Sequence, residues 1–338
     1  SRWHLVGRAA PGAPFGRELQ PGEAVRILTG APVPAGSARV VPQELAEPEP
    51  GDSLRLLRPV GPNPWIRPAD EEAAPDQVLC AAGQRLGPAD LARLASCGVP
   101  LVPVRRRPRI GLLISGDELT PVGEPRSPGA IWESNGTLLQ ALLERLGYGV
   151  AERLVVADAP EALRAALEQL ALSADVVVST GGVSAGDSDW IRPLVAELGA
   201  VEFWKLFLKP GRPFAFGRVR GRPFFGLPGN PVAAAITALQ LLWPALQRLE
   251  GGEVQLLPRL PVQLAAPLQR APGRPELARA RLELGPAGDL LARLEGSQAS
   301  SRIGSLQGAD LLLELPATCA CLEAGARVWA QWLRLPIF

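Results

Sequence analysis

The chain has 338 residues, long enough for two or more domains, and its 47% hydrophobic and 20% charged content is that of a globular protein. The net charge of +1 argues against a broad nucleic-acid surface. The single histidine, His4, excludes any Ser-His-Asp or Cys-His arrangement, so chemistry falls to carboxylates, lysine, bound metal or backbone dipoles. Cys80, Cys97, Cys319 and Cys321 form neither a redox pair spacing nor a zinc ligand set, which fits a reducing compartment and an expected cytoplasmic location. No run is apolar enough to predict a membrane span or a membrane partner. With 36 glycines and 36 prolines beside that apolar content, the chain reads as packed elements joined by tight turns.

Residues 1–59 predict a small β-rich unit, with strands near 24–28 and 53–58 separated by Gly/Pro turns. Residues 60–107 predict a mixed linker domain with an acidic patch at Asp70-Glu71-Glu72. A short helix follows, with Pro88 near its start and Asp90 in its first turn. The pattern changes at Pro108. A buried strand, 109–114, runs into Ser115-Gly116-Asp117-Glu118. Leu138, Leu139, Leu142, Leu143 and Leu146 line one face of a helix. A second strand ends at Asp158, and Pro160 opens a second helix. A third strand, 175–179, breaks into Thr180-Gly181-Gly182. This alternation predicts a doubly wound parallel sheet over 108–250, which binds ligands outside the carboxyl ends of its strands. Those ends carry Ser115, Asp117, Glu118, Asp158, Thr180, Gly181, Gly182 and Ser184. Several acids on one edge are costly without metal or cations among them. Two glycines let backbone N–H groups approach an anion, although neither a Walker loop nor a dinucleotide fingerprint is present.

A further strand-like stretch, 203–208, carries the only two lysines, Lys205 and Lys209, in a chain whose other basic side chains are all arginine. Either this is a solvated strand edge or an amine is needed there for an oxyanion. Pro228-Gly229-Asn230-Pro231 then enters a long helix to about residue 249, with Asn230 placed to cap it. Residues 251–338 predict a β sandwich or barrel, with a polar loop at 296–302 that either meets a ligand or, as the commoner case, lies on the surface.

Taken together, V-R-I-L-T-G-A-P-V-P at 25–34, R-I-G-L-L-I-S-G-D-E-L at 109–119 and S-N at 134–135 closely resemble the molybdopterin molybdenumtransferase family. So do S-T-G-G-V-S-A-G-D-S-D at 179–189, F-W-K-L-F-L-K-P-G-R-P at 203–213 and G-L-P-G-N-P-V at 226–232. The resemblance covers essentially the whole chain and is most specific from 108 to 250. It implies an α/β multidomain protein: a β-rich N-terminal region with a linker domain, a doubly wound molybdopterin-binding domain and a C-terminal β barrel at 251–338. It implies that adenylylated molybdopterin (molybdopterin-AMP) and molybdate give molybdenum cofactor and AMP, with Mg²⁺, in a cleft shared by a homodimer. Molybdopterin adenylyltransferase is the expected upstream donor.

By matching position, the resemblance assigns catalytic roles to Asp70, Glu118, Asp158, Asp189, Lys205 and Lys209, with Asp158 and Asp189 on the metal. Thr180, Gly181, Gly182, Ser184, Pro228 and Asn230 would bind the ligand. Three departures stand out. Glu133 replaces the family's usual Asp before Ser-Asn, Ser37-Ala38 replaces its usual Ala-Asp after the Pro-Val-Pro turn, and the family's N-terminal Asp-Gly-Tyr-Ala segment has no counterpart, which suggests that residues precede Ser1. Two other functions fit less of the pattern. The related molybdopterin adenylyltransferase needs only the core near 108–250, and a gephyrin-like scaffold would need a peptide groove.

Overall fold

The computed structural model describes residues 2–182 and 189–334. The chain divides into two compact units, residues 1–79 with 92–100 and residues 80–91 with 101–338.

The first unit is built on β1 (Arg2–Ala9), β2 (Glu23–Ile27), β3 (Ala46–Glu49) and β4 (Ser53–Leu56). They form a sheet in the order β2-β1-β4-β3, in which β1 and β2 run parallel. Arg55 bridges Glu47 and Glu49 across the β3–β4 hairpin. Helix α1 (Pro88–Ser96) contributes to both units. Asp90 lies in the first turn as expected, and it also accepts the Gly87 N–H at 2.7 Å, a capping bond that the sequence reading did not include.

In the second unit, β5 (Ile110–Ser115) leads through the short pair β6 (Leu119–Thr120) and β7 (Ile131–Trp132) to α2 (Asn135–Arg145). Then come β8 (Val150–Val156), α3 (Pro160–Ser173), β9 (Val176–Thr180), α4 (Ile191–Leu198), β10 (Gly199–Trp204), β11 (Ala215–Val219), β12 (Arg222–Leu227) and α5 (Pro231–Thr237). The sheet order is β10-β11-β12-β9-β5-β8. The four strands β12, β9, β5 and β8 are parallel, but β11 and β10 join antiparallel, so the sheet is mixed rather than wholly parallel.

Both faces are buried, which is why β5 and β9 read as unbroken apolar runs. Side chains still alternate. Leu112, Ile114, Val176, Val178 and Phe225 pack with α2 and α5 on one face. Leu113, Val177 and Phe224 pack with α3 and α4 on the other. Each such side chain, fully buried, contributes about 1.5–3 kcal/mol.

The expected long helix is one continuous rod with a π turn at Ala238–Leu242 between α5 and α6 (Trp243–Leu249). Pro244, in the first turn of α6, lacks an N–H, so the regular ladder must break just upstream. Residues Pro231–Leu249 are the one stretch, among those described, long and apolar enough to cross a membrane, yet 67% of that window is buried inside the fold.

The remainder comprises β13 (Arg259–Leu264), β14 (Leu268–Gln269), β15 (Glu276–Leu284), β16 (Leu290–Leu294), α7 (Gly304–Gln307), β17 (Leu311–Leu315), β18 (Cys321–Leu322) and β19 (Arg327–Trp332). The order β13-β16-β15-β17-β19 closes into a barrel around Val262, Leu264, Ala280, Leu311 and Leu313. Closure leaves no sheet edge to template aggregation.

Candidate active site

The carboxyl ends of β5, β8 and β9 assemble the predicted acidic edge. Asp117 Oδ1 accepts the Asp158 N–H at 2.9 Å, holding the two turns together. A side chain at Gly116 would meet the Glu118 carboxylate at 2.7 Å, so Glu118 folds back over that glycine. Asp158 Oδ1 and Ser115 Oγ are buried and neither completes a hydrogen bond. Burial pushes the Asp158 carboxyl up, the nearby Ser115 hydroxyl opposes this, and repulsion from Asp117, Glu118 and Asp189 adds to it. Gly181 and Gly182 have φ of 94° and 61°. A Cβ on Gly181 would lie 2.5 Å from the Ser115 carbonyl, and one on Gly182 would lie 2.7 Å from Ile191 Cγ1. Both conformation and space therefore demand glycine there. Ser184 lies outside the described residues.

Asn135 joins this edge to the next turn. Its Nδ2 donates to Thr180 Oγ1 at 3.0 Å and to the Gly229 carbonyl at 2.7 Å. The Thr180 hydroxyl donates in turn to the Pro228 carbonyl at 2.9 Å. Asn135 is aimed by Glu133, which is buried and accepts the Gly136 N–H at 2.6 Å while pairing with Arg153. Glu133 thus caps α2, where Ser134 makes no side-chain cap.

Beyond that turn lies a cavity of about 530 Å³, walled by Lys209, Arg212, Pro228, Asn230, Arg274 and the loop 298–300. Asn230 occupies the helix cap position but makes no capping bond with its side chain, contrary to the sequence expectation. It lines the cavity instead, because Ala234 N–H is taken by its carbonyl and Val232 N–H by the Ser300 carbonyl. The loop expected to lie on the surface is part of the wall. Gln298 clamps it by accepting the Arg279 N–H at 2.8 Å and donating to the Arg279 carbonyl at 3.0 Å. The fully buried Arg279 guanidinium donates to Ser305 Oγ and the Ala299 carbonyl; burial lowers its pKa and Nη1 has no partner. Arg212, Arg274 and Arg279 were not singled out from sequence. One arginine among 33 carries no local signal, and only the convergence of two folded regions distinguishes them.

The stretch 203–208 is not a strand throughout. β10 stops at Trp204 because Lys205 has φ 70°, and the N–H groups of Lys205 and Leu206 turn to the carbonyls of Phe214 and Arg212. Lys209 reaches the cavity and pairs with Glu276 at 3.0 Å. Lys205 is not on the cavity wall; its Nζ sits 3.8 Å from the Trp204 ring centroid. The structure therefore gathers Lys209, Pro228 and Asn230 at the cavity, and Glu118, Asp158, Asp189, Thr180, Gly181 and Gly182 at the sheet edge. Asp70 belongs to the first unit, exposed in a turn.

Residues 3–98 match the "MoeA N-terminal region (domain I and II)", 111–248 the "Probable molybdopterin binding domain" and 261–332 the "MoeA C-terminal region (domain IV)". The molybdopterin molybdenumtransferase of Haemophilus influenzae is 32% identical over 325 residues, covering 96% of this chain and 80% of its own length. The chain belongs to the molybdopterin molybdenumtransferase family. Molybdopterin molybdenumtransferase 2 of Mycobacterium tuberculosis is similarly 33% identical over 321 residues, covering 92% of this chain and 78% of its own. The molybdopterin biosynthesis moeA protein of Pyrococcus horikoshii OT3 superposes with a TM-score of 0.79 at 26% identity, over 98% of this chain and 81% of its own. In this molybdenumtransferase-family chain, the cavity sits where the domain called molybdopterin-binding meets the C-terminal barrel.

Proposed function

We propose that this chain inserts molybdenum from molybdate into adenylylated molybdopterin, releasing AMP and forming molybdenum cofactor. The observation that carries this reading is the cavity: Lys209, Arg212 and Arg274 line it, no carboxylate does, and both substrates are anions. The names of the relatives support the same reaction.

The chain's own groups divide the work. Backbone N–H groups at Thr180, Gly181 and Gly182 cradle phosphoryl oxygens at the end of β9. Arg212 and Arg274 orient substrate by fork-shaped donation, and Lys209 and Lys205 counter the charge of molybdate. Asn135 keeps the phosphate turn and the Pro228–Asn230 turn in fixed register, so both ends of the substrate meet preorganised donors.

The acidic edge fits a hard divalent ion. Its donors are all oxygen, Asp158 Oδ1 is buried without a partner, and the neighbouring acids repel one another. Among the described residues no group of three ligands is ready-made, but Mg²⁺ needs only one or two carboxylates beside water and substrate phosphate. Asp158 and Asp189 would hold it, with Glu118 nearby. When bound, the ion neutralises charge on the phosphoryl group and makes AMP a better leaving group.

With adenylylated molybdopterin, AMP release followed chromatographically is expected to require molybdate and to stop when EDTA removes the divalent ion. The cofactor formed should activate an apo-molybdoenzyme. AMP release indifferent to molybdate, or ATP-dependent adenylylation of molybdopterin, would defeat the reading.

We also propose a homodimer supplied by molybdopterin adenylyltransferase as upstream donor, with Asp70 serving a cleft that takes residues from both subunits. Two-fold closure is the commonest soluble assembly. Mixing Asp70→Asn and Lys205→Ala chains, each strongly impaired alone, should give heterodimers with one intact cleft and about half of a native dimer's activity each, on the symmetry of a closed pair. No recovery despite verified subunit exchange would remove Asp70 from the site.

A further inference from the structure

We infer that Trp204 is a positioning residue that holds the Lys205 ammonium ready for an anion without neutralising it. This rests on the reading above in which Lys205 serves the anionic substrate. Trp204 ends β10, paired with Ala215 of β11. In a regular strand, neighbours point to opposite faces, so the side chain of residue 205 could not reach the ring of residue 204. Lys205 escapes that rule because its φ is 70°. The turn is held by its own N–H, which donates to the Phe214 carbonyl at 2.9 Å. Its Nζ then lies 3.8 Å from the Trp204 ring centroid. Arg192, from α4, places its guanidinium carbon 4.0 Å from the same centroid.

The two lysines are thus held in different ways. Lys209 is locked to the buried Glu276, which Arg270 also meets. Lys205 has no carboxylate partner among the described residues. An aromatic face attracts a cation through its quadrupole but removes no net charge. Arg192, 4.0 Å from the same ring centroid, brings a second cation and no counter-charge. An incoming oxyanion can therefore take Lys205 without first breaking an ion pair, whereas it must compete with Glu276 for Lys209.

The scarcity of lysine makes this testable. Reductive ¹³C-methylation of the full chain labels only Lys205, Lys209 and any α-amine, and Lys205→Arg and Lys209→Arg assign the signals. The ring current of Trp204 is expected to place the Lys205 methyl resonance upfield of the Lys209 resonance. Trp204→Leu should abolish the upfield shift, Trp204→Phe should keep part of it, and molybdate should move the native signal downfield. A Lys205 resonance identical in the native chain and Trp204→Leu would overturn the proposal. In kinetics, Trp204→Leu should raise the KM for molybdate by about two- to thirtyfold, with Trp204→Phe intermediate. In a Lys205→Ala background it should add nothing; an additive loss would mean that Trp204 acts otherwise and would also overturn it. Full activity of Lys205→Ala would instead remove the lysine's role in the reaction, leaving the resonance shift in place, so the two failures are told apart.

Discussion

Replacing Lys205 and Lys209 together by alanine is expected to lower AMP release by at least about 10²–10³-fold, the effect of removing even one donor from a preorganised oxyanion site. The fold should survive. Lys209 is half-exposed, and its loss leaves Glu276 still paired with Arg270 at 3.0 Å. Lys205 stands on the Trp204 ring, where its removal exposes an aromatic face and buries no charge. Of the single variants, Lys209→Ala should cost more, because only Lys209 lies on the cavity wall with Arg212 and Arg274. The loss should fall on kcat/KM while urea midpoints stay near that of the native chain. Undiminished AMP release by the double variant would sink the assignment of both lysines.

Glu276→Ala is expected to destabilise the second unit by about 3–5 kcal/mol, the usual cost of breaking a buried ion pair by deleting one partner. Glu276 is only 4% exposed, and the Arg270 side chain only 7%. Without the carboxylate, Arg270 keeps its bonds to the carbonyls of Pro316 and Arg274 but has no counter-charge. Backbone bonds between Lys209 and the residues either side of Glu276 tie this change to the site: Lys209 N–H donates to Pro275, and Leu277 N–H donates to Lys209. Urea denaturation followed by circular dichroism measures the loss as a lower midpoint at unchanged slope. Glu276→Gln should lose less, since it keeps a polar side chain of the same shape beside Arg270 and opens no cavity. A loss below about 1 kcal/mol in Glu276→Ala would show that Arg270 is solvated rather than dependent on Glu276, as for an ordinary surface pair.

The middle of the chain was legible because its signals are local and repeated. Continuous apolar runs at 110–114 and 176–178 can only be strands buried on both faces when helices with one leucine-rich face lie between them. Pro160 and Pro231 announced their helices because a first-turn residue needs no N–H. The acidic edge followed directly, since strand ends in such a sheet converge by topology. The end of β10 was misread because F-W-K-L-F-L has strand composition throughout. Nothing in a lysine reports a φ of 70°, which the pairing with the 212–214 segment imposes. The same holds for β11 and β10: their direction in the sheet depends on a connection, not on composition.

By itself, the sequence determined the kinds of chemistry available and one of the two constellations that supply it. One histidine and two lysines narrowed the reactive groups before any coordinate was known, and the strand–helix alternation placed Asp158, Thr180, Gly181 and Gly182 on one edge. Only the tertiary structure decided the cavity. Its walls come from positions as far apart as Lys209 and Ser300, brought together where the barrel packs on the doubly wound domain. Local propensity says whether Asn230 can cap a helix or Gln298 can sit in a loop. It cannot say that the Ser300 carbonyl takes the Val232 N–H, or that Gln298 spends both ends of its amide on Arg279. Those bonds form between segments with no sequence relation, and they exist because a buried backbone group must find a partner wherever packing offers one.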